Sequence, residues 1–442
     1  MSGTTPSQTP ADGEQTRGTD LAKSAERPAD GAPAAGPAPV DPRLLVREQG
    51  FRGYWEEFRR RMRSGELGSV PVVVGLVVIW LAFQLQDRAF LSAENLSNLS
   101  IEIVGTGLIA AGIVFVLLLG EIDLSVGSLS GLAGAVFAVL AVNHGVPEWL
   151  ALLTALLLGA VLGALHGFFF ARVGVPAFVV TLAGLLAWNG LMLQVLGSDG
   201  TINLDDDGLL ATLTTHYFTD ISVAYGTATV AVVGYFLAQY VDTRRRERAG
   251  IPARPLSELL VRTGVLAVLA YAAAYTLNQY YGMPLALLLF LVVLVALDFV
   301  LRRTSYGRKV FALGGNTEAA SRAGINVAAV RISVFAISGA MAAAGGLMIA
   351  SRIQAANQGA GSGNLLMEGI AAAVIGGTSL FGGRGSIWSA LLGMLVIGSI
   401  ASGMALLGIA AAVQYMITGG VLLAAVVIDS VSRRTQKTAG RT

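Results

Sequence analysis

From Val70 towards the C-terminus, apolar positions fall into runs close to the roughly 20 residues that cross a bilayer as a helix, separated by short polar or Gly/Pro-containing joints. Twelve runs are read, at about 70–86, 99–119, 125–143, 149–171, 177–196, 222–241, 260–281, 283–301, 328–351, 365–380, 386–408 and 411–430. Helices are the expected spanning element, because hydrocarbon offers the backbone no partner outside the segment itself. A β-barrel would alternate in ten-residue segments, and none are present. The fold class expected is therefore all-α and polytopic, with about 10–12 transmembrane helices. Gly-rich stretches within 99–143 and 365–408 are the places where re-entrant or broken helices would change that number by two.

The pattern also divides the chain. Residues 1–49 lack apolar periodicity and hold seven of the thirteen prolines, so a disordered cytoplasmic tail is expected there. They show no apolar core behind a basic start, so the first run is the expected insertion signal. Over 50–66, Phe51, Tyr54, Trp55, Phe58 and Met62 recur at helical spacing among Arg52, Arg59, Arg60, Arg61 and Arg63. That spacing predicts an amphipathic interfacial helix, against the plainer alternative of a basic linker. Residues 67–432 form the membrane domain, and 433–442 a second cytoplasmic tail.

Composition agrees: 54% of the 442 residues are hydrophobic and 13% charged, as expected of an integral membrane protein in contact with membrane lipid. The net charge of +2 does not point to nucleic acid, because the basic residues cluster beside the apolar runs. With the N-terminus inside, the joints read as cytoplasmic contain Arg172, the RRRER cluster at 244–248, RRTSYGRK at 302–309, Arg384, and Arg433, Arg434 and Lys437. The longest outward joint carries Asp205, Asp206 and Asp207 instead, so the positive-inside rule supports this orientation and puts both termini in the cytoplasm.

Several chemistries are excluded. Without cysteine there is no disulfide or thiolate chemistry, and His144, His166 and His216 have no ligand-like spacing, so no metal is expected. No G-x-x-x-x-G-K-[ST] segment is present, and no nucleophile–base arrangement can be assembled, so no catalytic residue and no cofactor are assigned. Glu121 and Asp123 lie between two apolar runs, where carboxylates are costly. Asp123 reads as the N-cap of a helix starting near Leu124; if both acids were deep, a proton- or cation-coupled carrier would be the alternative. GEIDLSVGSLS (120–130) and GGTSLFGGRGS (376–386) share Gly, Leu, Gly and Ser at four places, as two related transporter halves would, or as chance would in a chain with 55 glycines.

The segment GGNTEAASRAGI, residues 314–325, follows the basic RRTSYGRK joint. Thr317 reads as an N-cap, and Glu318 to Ala323 form a short cytoplasmic helix ended by Gly324. So short a helix is unstable alone and needs a surface to dock on.

Glu318, Ala319, Ala320, three residues and then Gly324 resemble the EAA-x3-G loop of permease subunits of ABC importers. GEIDLSVGS (120–128), AAAVIGGTSLFGGRGS (371–386) and GGNTEAASRAGINV resemble the sugar branch of that family, the ribose and xylose permeases, although the Leu-Pro that follows the wider consensus is absent. The resemblance runs from about 70 to 430 and is strongest to the xylose type, through the extra hydrophobic pair at 222–281, SRIQAAN (351–357) and SGMALLG (402–408). It implies a homodimer of permeases in the bacterial cytoplasmic membrane, a separate cytoplasmic ATPase, an extracytoplasmic sugar-binding protein and a monosaccharide substrate such as D-xylose. By the same resemblance Glu318, Ala319, Ala320, Arg322 and Gly324 would couple to the ATPase, and Glu121, Asp123, Ser125 and Gly127 belong to the signature. Arg322 would pair with an acid on the ATPase or remain a solvated charge. By residue type, Trp188, Asn189, Gln194, Asn278 and Gln279 are candidates for the substrate path, with interhelical or interfacial roles as the alternative. The outward segment of Gln354, Asn357 and 359–364 would receive the binding protein.

Overall fold

The computed structural model describes residues 70–250 and 255–438. The expected tail at 1–49 and interfacial helix at 50–66 lie outside the described residues. Every one of the twelve apolar runs contains a helix. In chain order these are α1 (Val70–Gln86), α2 (Ala93–Leu118), α3 (Val126–Ala138, continued by a π turn, Val139–Asn143), α4 (Glu148–Phe168, continued by a π turn, Phe169–Val173) and α5 (Ala177–Leu196). A segment of short elements follows, with β1 (Thr201–Asn203), α6 (Leu209–Thr215) and β2 (Tyr217–Phe218). Then come α7 (Ile221–Arg248), α8 (Leu256–Asn278), β3 (Met283–Pro284), α9 (Leu285–Arg303), α10 (Ser305–Gly315), α11 (Thr317–Arg322) and α12 (Val327–Ile353). The chain closes with β4 (Ala355–Asn357), α13 (Leu365–Ile375), α14 (Trp388–Leu406) and α15 (Ala411–Thr438). Among the described residues nine helices are long and apolar enough to cross a membrane; α1, α13 and the apolar part of α15 are shorter.

Local chemistry sets the helix ends. Pro147, Pro176, Pro255 and Pro284 directly precede α4, α5, α8 and α9, where the fixed φ suits a helix start and the missing N–H is no loss. Ser92, Asp220 and Asn326 cap α2, α7 and α12 with side-chain acceptors. The segment of short elements between α5 and α7 is tied down by two antiparallel ribbons, β1 with β4 (Ile202 opposite Ala356) and β2 with β3. Glu148 accepts from the Leu210 N–H at 2.8 Å, and Ser351 donates to the Leu210 carbonyl at 2.6 Å, so α6 is fastened to α4 and α12.

The core is built on α2 and α12. From Ile103 to Leu118 every residue of α2 is buried. The α4–α12 crossing is a backbone contact: a Cβ added at Gly163 would lie 2.2 Å from the Phe335 carbonyl oxygen, and one at Gly339 would lie 2.1 Å from that of Gly159. Small residues let helices approach this closely where apolar burial alone gives no drive to associate. Helices α7 and α8 form a separate apolar cluster around Ala224, Ala228, Ala274 and Leu277.

One expectation is corrected. The run at 365–380 is not a full span: α13 has 11 residues, about 16 Å at 1.5 Å per residue, and ends at Ile375 because Gly377 turns the chain with φ 107°. The segment 358–364 ahead of α13 packs on the start of α3: a Cβ on Gly361 would lie 2.0 Å from the Gly127 carbonyl oxygen.

Candidate functional site

Two polar regions stand out from the apolar bundle. The first begins at the break after α2. Asp123 is 2% exposed, and its carboxylate accepts from the Ser125 N–H at 3.0 Å, the Ser125 hydroxyl at 2.6 Å and the Ser338 hydroxyl of α12 at 3.0 Å. Ser338 is 11 residues beyond Val327, so it lies about 16 Å along α12, near the middle of that helix. The chain therefore leaves the end of α2 and turns back into the bundle before α3 begins.

His166 of α4 extends the network. Its Nδ1 is 3.2 Å from the Ser125 hydroxyl, and its Nε2 accepts from the Trp188 indole N–H of α5 at 2.9 Å. The indole can only donate, so Nε2 is the acceptor and a neutral ring carries its proton on Nδ1, directed at Ser125. The serine hydroxyl in turn donates to Asp123. Every contact has one donor and one acceptor, and the chain Trp188–His166–Ser125–Asp123–Ser338 joins α5, α4, the break and α12.

This corrects the capping expectation for Asp123. Helix α3 starts at Val126; Ser125 holds the N-cap position with αR backbone and makes no side-chain cap bond, because its hydroxyl is engaged with Asp123 and His166. Asp123 closes a tight turn onto Ser125 and anchors it to α12. Glu121 is not part of this network; the charged group facing it is Arg331, whose guanidinium lies 4.2 Å from the Phe170 ring centroid. Gly127 packs against Gly361, in the segment ahead of α13.

The second region is the α10–α11 pair. Buried Gly307, Val310 and Leu313 seat α10 on the bundle, and Tyr306 bonds Ser333 of α12 at 2.9 Å. Burial pushes the Tyr306 phenol above its usual range, with the Ser333 hydrogen bond opposing. The cap of α11 is Asn316 and not Thr317: the extended Asn316 backbone places its side-chain oxygen 2.9 Å from the Ala319 N–H, while Thr317 already lies in the first turn. At the other end Gly324 takes φ 80° and Ile325 N–H reaches back to the Ala320 carbonyl, a glycine-terminated C-cap. Ala320 is the one buried residue of α11. Glu318, Ala319, Arg322 and Gly324 are exposed, and Arg322 pairs with Glu318 one turn back.

The substrate-path candidates are not gathered together. Trp188 packs at the main core; Asn189 beside it is half-buried and Gln194 exposed. Asn278 and Gln279 end α8 in the separate α7–α8 cluster. Sequence reasoning dismissed His166 as a metal ligand and did not reach Ser338. A lone histidine inside an apolar run is itself the signal that could have found the network. It also passed over Glu102, the single exposed position of α2 between Ile101 and Leu118, which is faced by Arg352 and Glu368.

A polytopic helical bundle with a buried break, a polar network at mid-helix depth and a capped, exposed short helix is an architecture suited to a membrane transport permease. A family model described as branched-chain amino acid transport system / permease component matches residues 95–426. The xylose transport system permease protein XylH of Haemophilus influenzae is 37% identical over 376 residues, 85% of this chain and 99% of the relative. XylH of Escherichia coli K12 is 36% identical over 375 residues, covering 84% and 94%. The ribose import permease protein RbsC of Haemophilus influenzae is 29% identical over 358 residues, covering 81% and 91%. No solved structure matches. The chain belongs to this family of transport-system permease components.

Proposed function

We propose that this chain is the transmembrane permease subunit of a bacterial ATP-binding-cassette importer. It moves a monosaccharide, D-xylose or a similar sugar, across the cytoplasmic membrane by alternating access. A separate cytoplasmic ATPase drives the cycle, an extracytoplasmic sugar-binding protein delivers the substrate, and two copies of the chain form the pathway. The observation that carries this reading is α11: a helix of 6 residues, capped at both ends, anchored by one buried alanine and exposed over Glu318, Ala319 and Arg322. So small a helix is useful as a rigid peg for a partner and too small to be a folding unit. The full-length similarity to xylose permeases supports the substrate class. Trp188, Asn189 and Gln194 are offered as path residues on α5, with Asn278 and Gln279 at the outer end of α8.

The rival reading, an ion-coupled carrier, needs a carboxylate free to take up and release a cation. Asp123 instead accepts three hydrogen bonds from fixed donors, which favours a structural anchor. The substrate is tested by deleting the chain's gene and measuring accumulation of labelled monosaccharides. Loss of xylose accumulation is expected; unchanged accumulation of every monosaccharide would contradict the reading.

A further inference from the structure

Three glycine-containing segments far apart in sequence meet at one point. Gly314 ends α10 with no room for a side chain: a Cβ there would lie 1.7 Å from the Leu118 carbonyl oxygen and 2.8 Å from the Gly383 nitrogen. The Gly383 N–H donates to that same Leu118 carbonyl at 2.9 Å. A Cβ on Gly382 would come within 2.8 Å of the Gly314 oxygen and 2.9 Å of the Gly120 nitrogen. Gly120, with φ 78°, faces the Phe381 carbonyl. The end of α10, the turn after α2 and the turn after α13 thus touch backbone to backbone.

Side-chain contacts can absorb a displacement by changing rotamer, whereas backbone contacts at this spacing can only move together or separate. The Leu118 carbonyl is one of the orphan acceptors at the end of α2, and its partner comes from the turn beyond α13. Three residues after Gly120 is Asp123, hydrogen-bonded to α12, and Ser386 of the other turn accepts from Arg302 of α9 at 2.7 Å. A shift of α10 therefore reaches both turns at once.

We propose that this glycine junction, Gly314 against Leu118, Gly120, Gly382 and Gly383, is the relay that passes movement of α10–α11 simultaneously to the turns after α2 and α13. The proposal rests on the reading of α11 as the ATPase-docking helix, and adds where its motion goes. Gly315 is an internal control: it is adjacent, is not at positive φ, and has nothing within 4 Å of an added Cβ.

The test uses the full complex in proteoliposomes, with the ATPase and binding protein. G314A is expected to retain ATPase binding, since the exposed α11 face is untouched, while sugar moved per ATP hydrolysed falls about tenfold, within the usual range of site-to-site coupling. G315A is expected to match wild type. If G314A binds the ATPase and transports as G315A does, the junction is not the relay. A second measurement leaves the junction unaltered. The chain has no cysteine, so spin labels can be placed at the exposed positions Ala323 and Phe381 through A323C and F381C. Their separation is expected to be the same in ATP-free and ATP-bound complexes, and a change would overturn the proposal. Failure of wild type to bind the ATPase would instead overturn the docking reading.

Discussion

Helices α2 and α7 are both apolar enough to span a membrane, yet they sit in opposite surroundings. The most apolar window of α2 is 94% buried by the rest of the chain, whereas that of α7 is 11% buried. Hydropathy does not decide burial: α9 is more apolar than α2, yet only 22% of its window is buried. What separates α2 from α7 is the small residues that allow backbone approach: Gly105, Gly112, Gly159, Gly163 and Gly339 meet backbone or side-chain atoms within 3 Å of an added Cβ, while Gly226, Gly234 and Gly264 of the α7–α8 hairpin meet nothing. In a membrane-embedded chain, glycine in tight contact marks the packed core and glycine in open space marks the periphery.

That contrast can be broken by substitution. The largest effect is expected at the α4–α12 crossing: G163V overpacks a backbone contact and should cost about 3 kcal/mol or more, seen as loss of monodisperse protein or a lowered unfolding midpoint in detergent. G234V, in the hairpin, should leave both unchanged. Next is D123A, which leaves the Ser125 and Ser338 donors without their acceptor and should destabilise by about 1–3 kcal/mol in the same thermal assay. W188F removes the one donor to His166 Nε2 and should cost about 1 kcal/mol. G324A forces a side chain into φ 80° at the end of α11, costing about 1 kcal/mol locally, and ATPase affinity should fall with little change in the global midpoint. Smallest is Y271F, which removes a hydrogen bond to Thr229 on the exposed hairpin and should change stability by less than about 0.5 kcal/mol.

The helices were legible because spanning length is written in apolar run length, and all twelve runs contain one. The run at 365–380 stops early at Gly376 and Gly377, inside the Gly-rich stretch where a broken helix was an alternative; apolar run length does not choose between the two, and φ at Gly377 sets the turn. The cap of α11 was missed by one residue because Asn316 and Thr317 are both cap formers, and only backbone conformation chooses between them. His166, Ser338 and the glycine junction are tertiary facts: Asp123 and Ser338 are 215 residues apart, and no local pattern links them. The EAA-x3-G segment was legible because its capping and termination are local.

In the proposed function this chain moves sugar with energy delivered by another subunit through α11. The direct measurement is labelled xylose uptake by proteoliposomes holding the chain with its ATPase and binding protein, with ATP or an imposed ion gradient as the energy source. Uptake that requires ATP and both partners, and is lost in G324A, is the predicted result. Uptake driven by an ion gradient in liposomes containing this chain alone would contradict it.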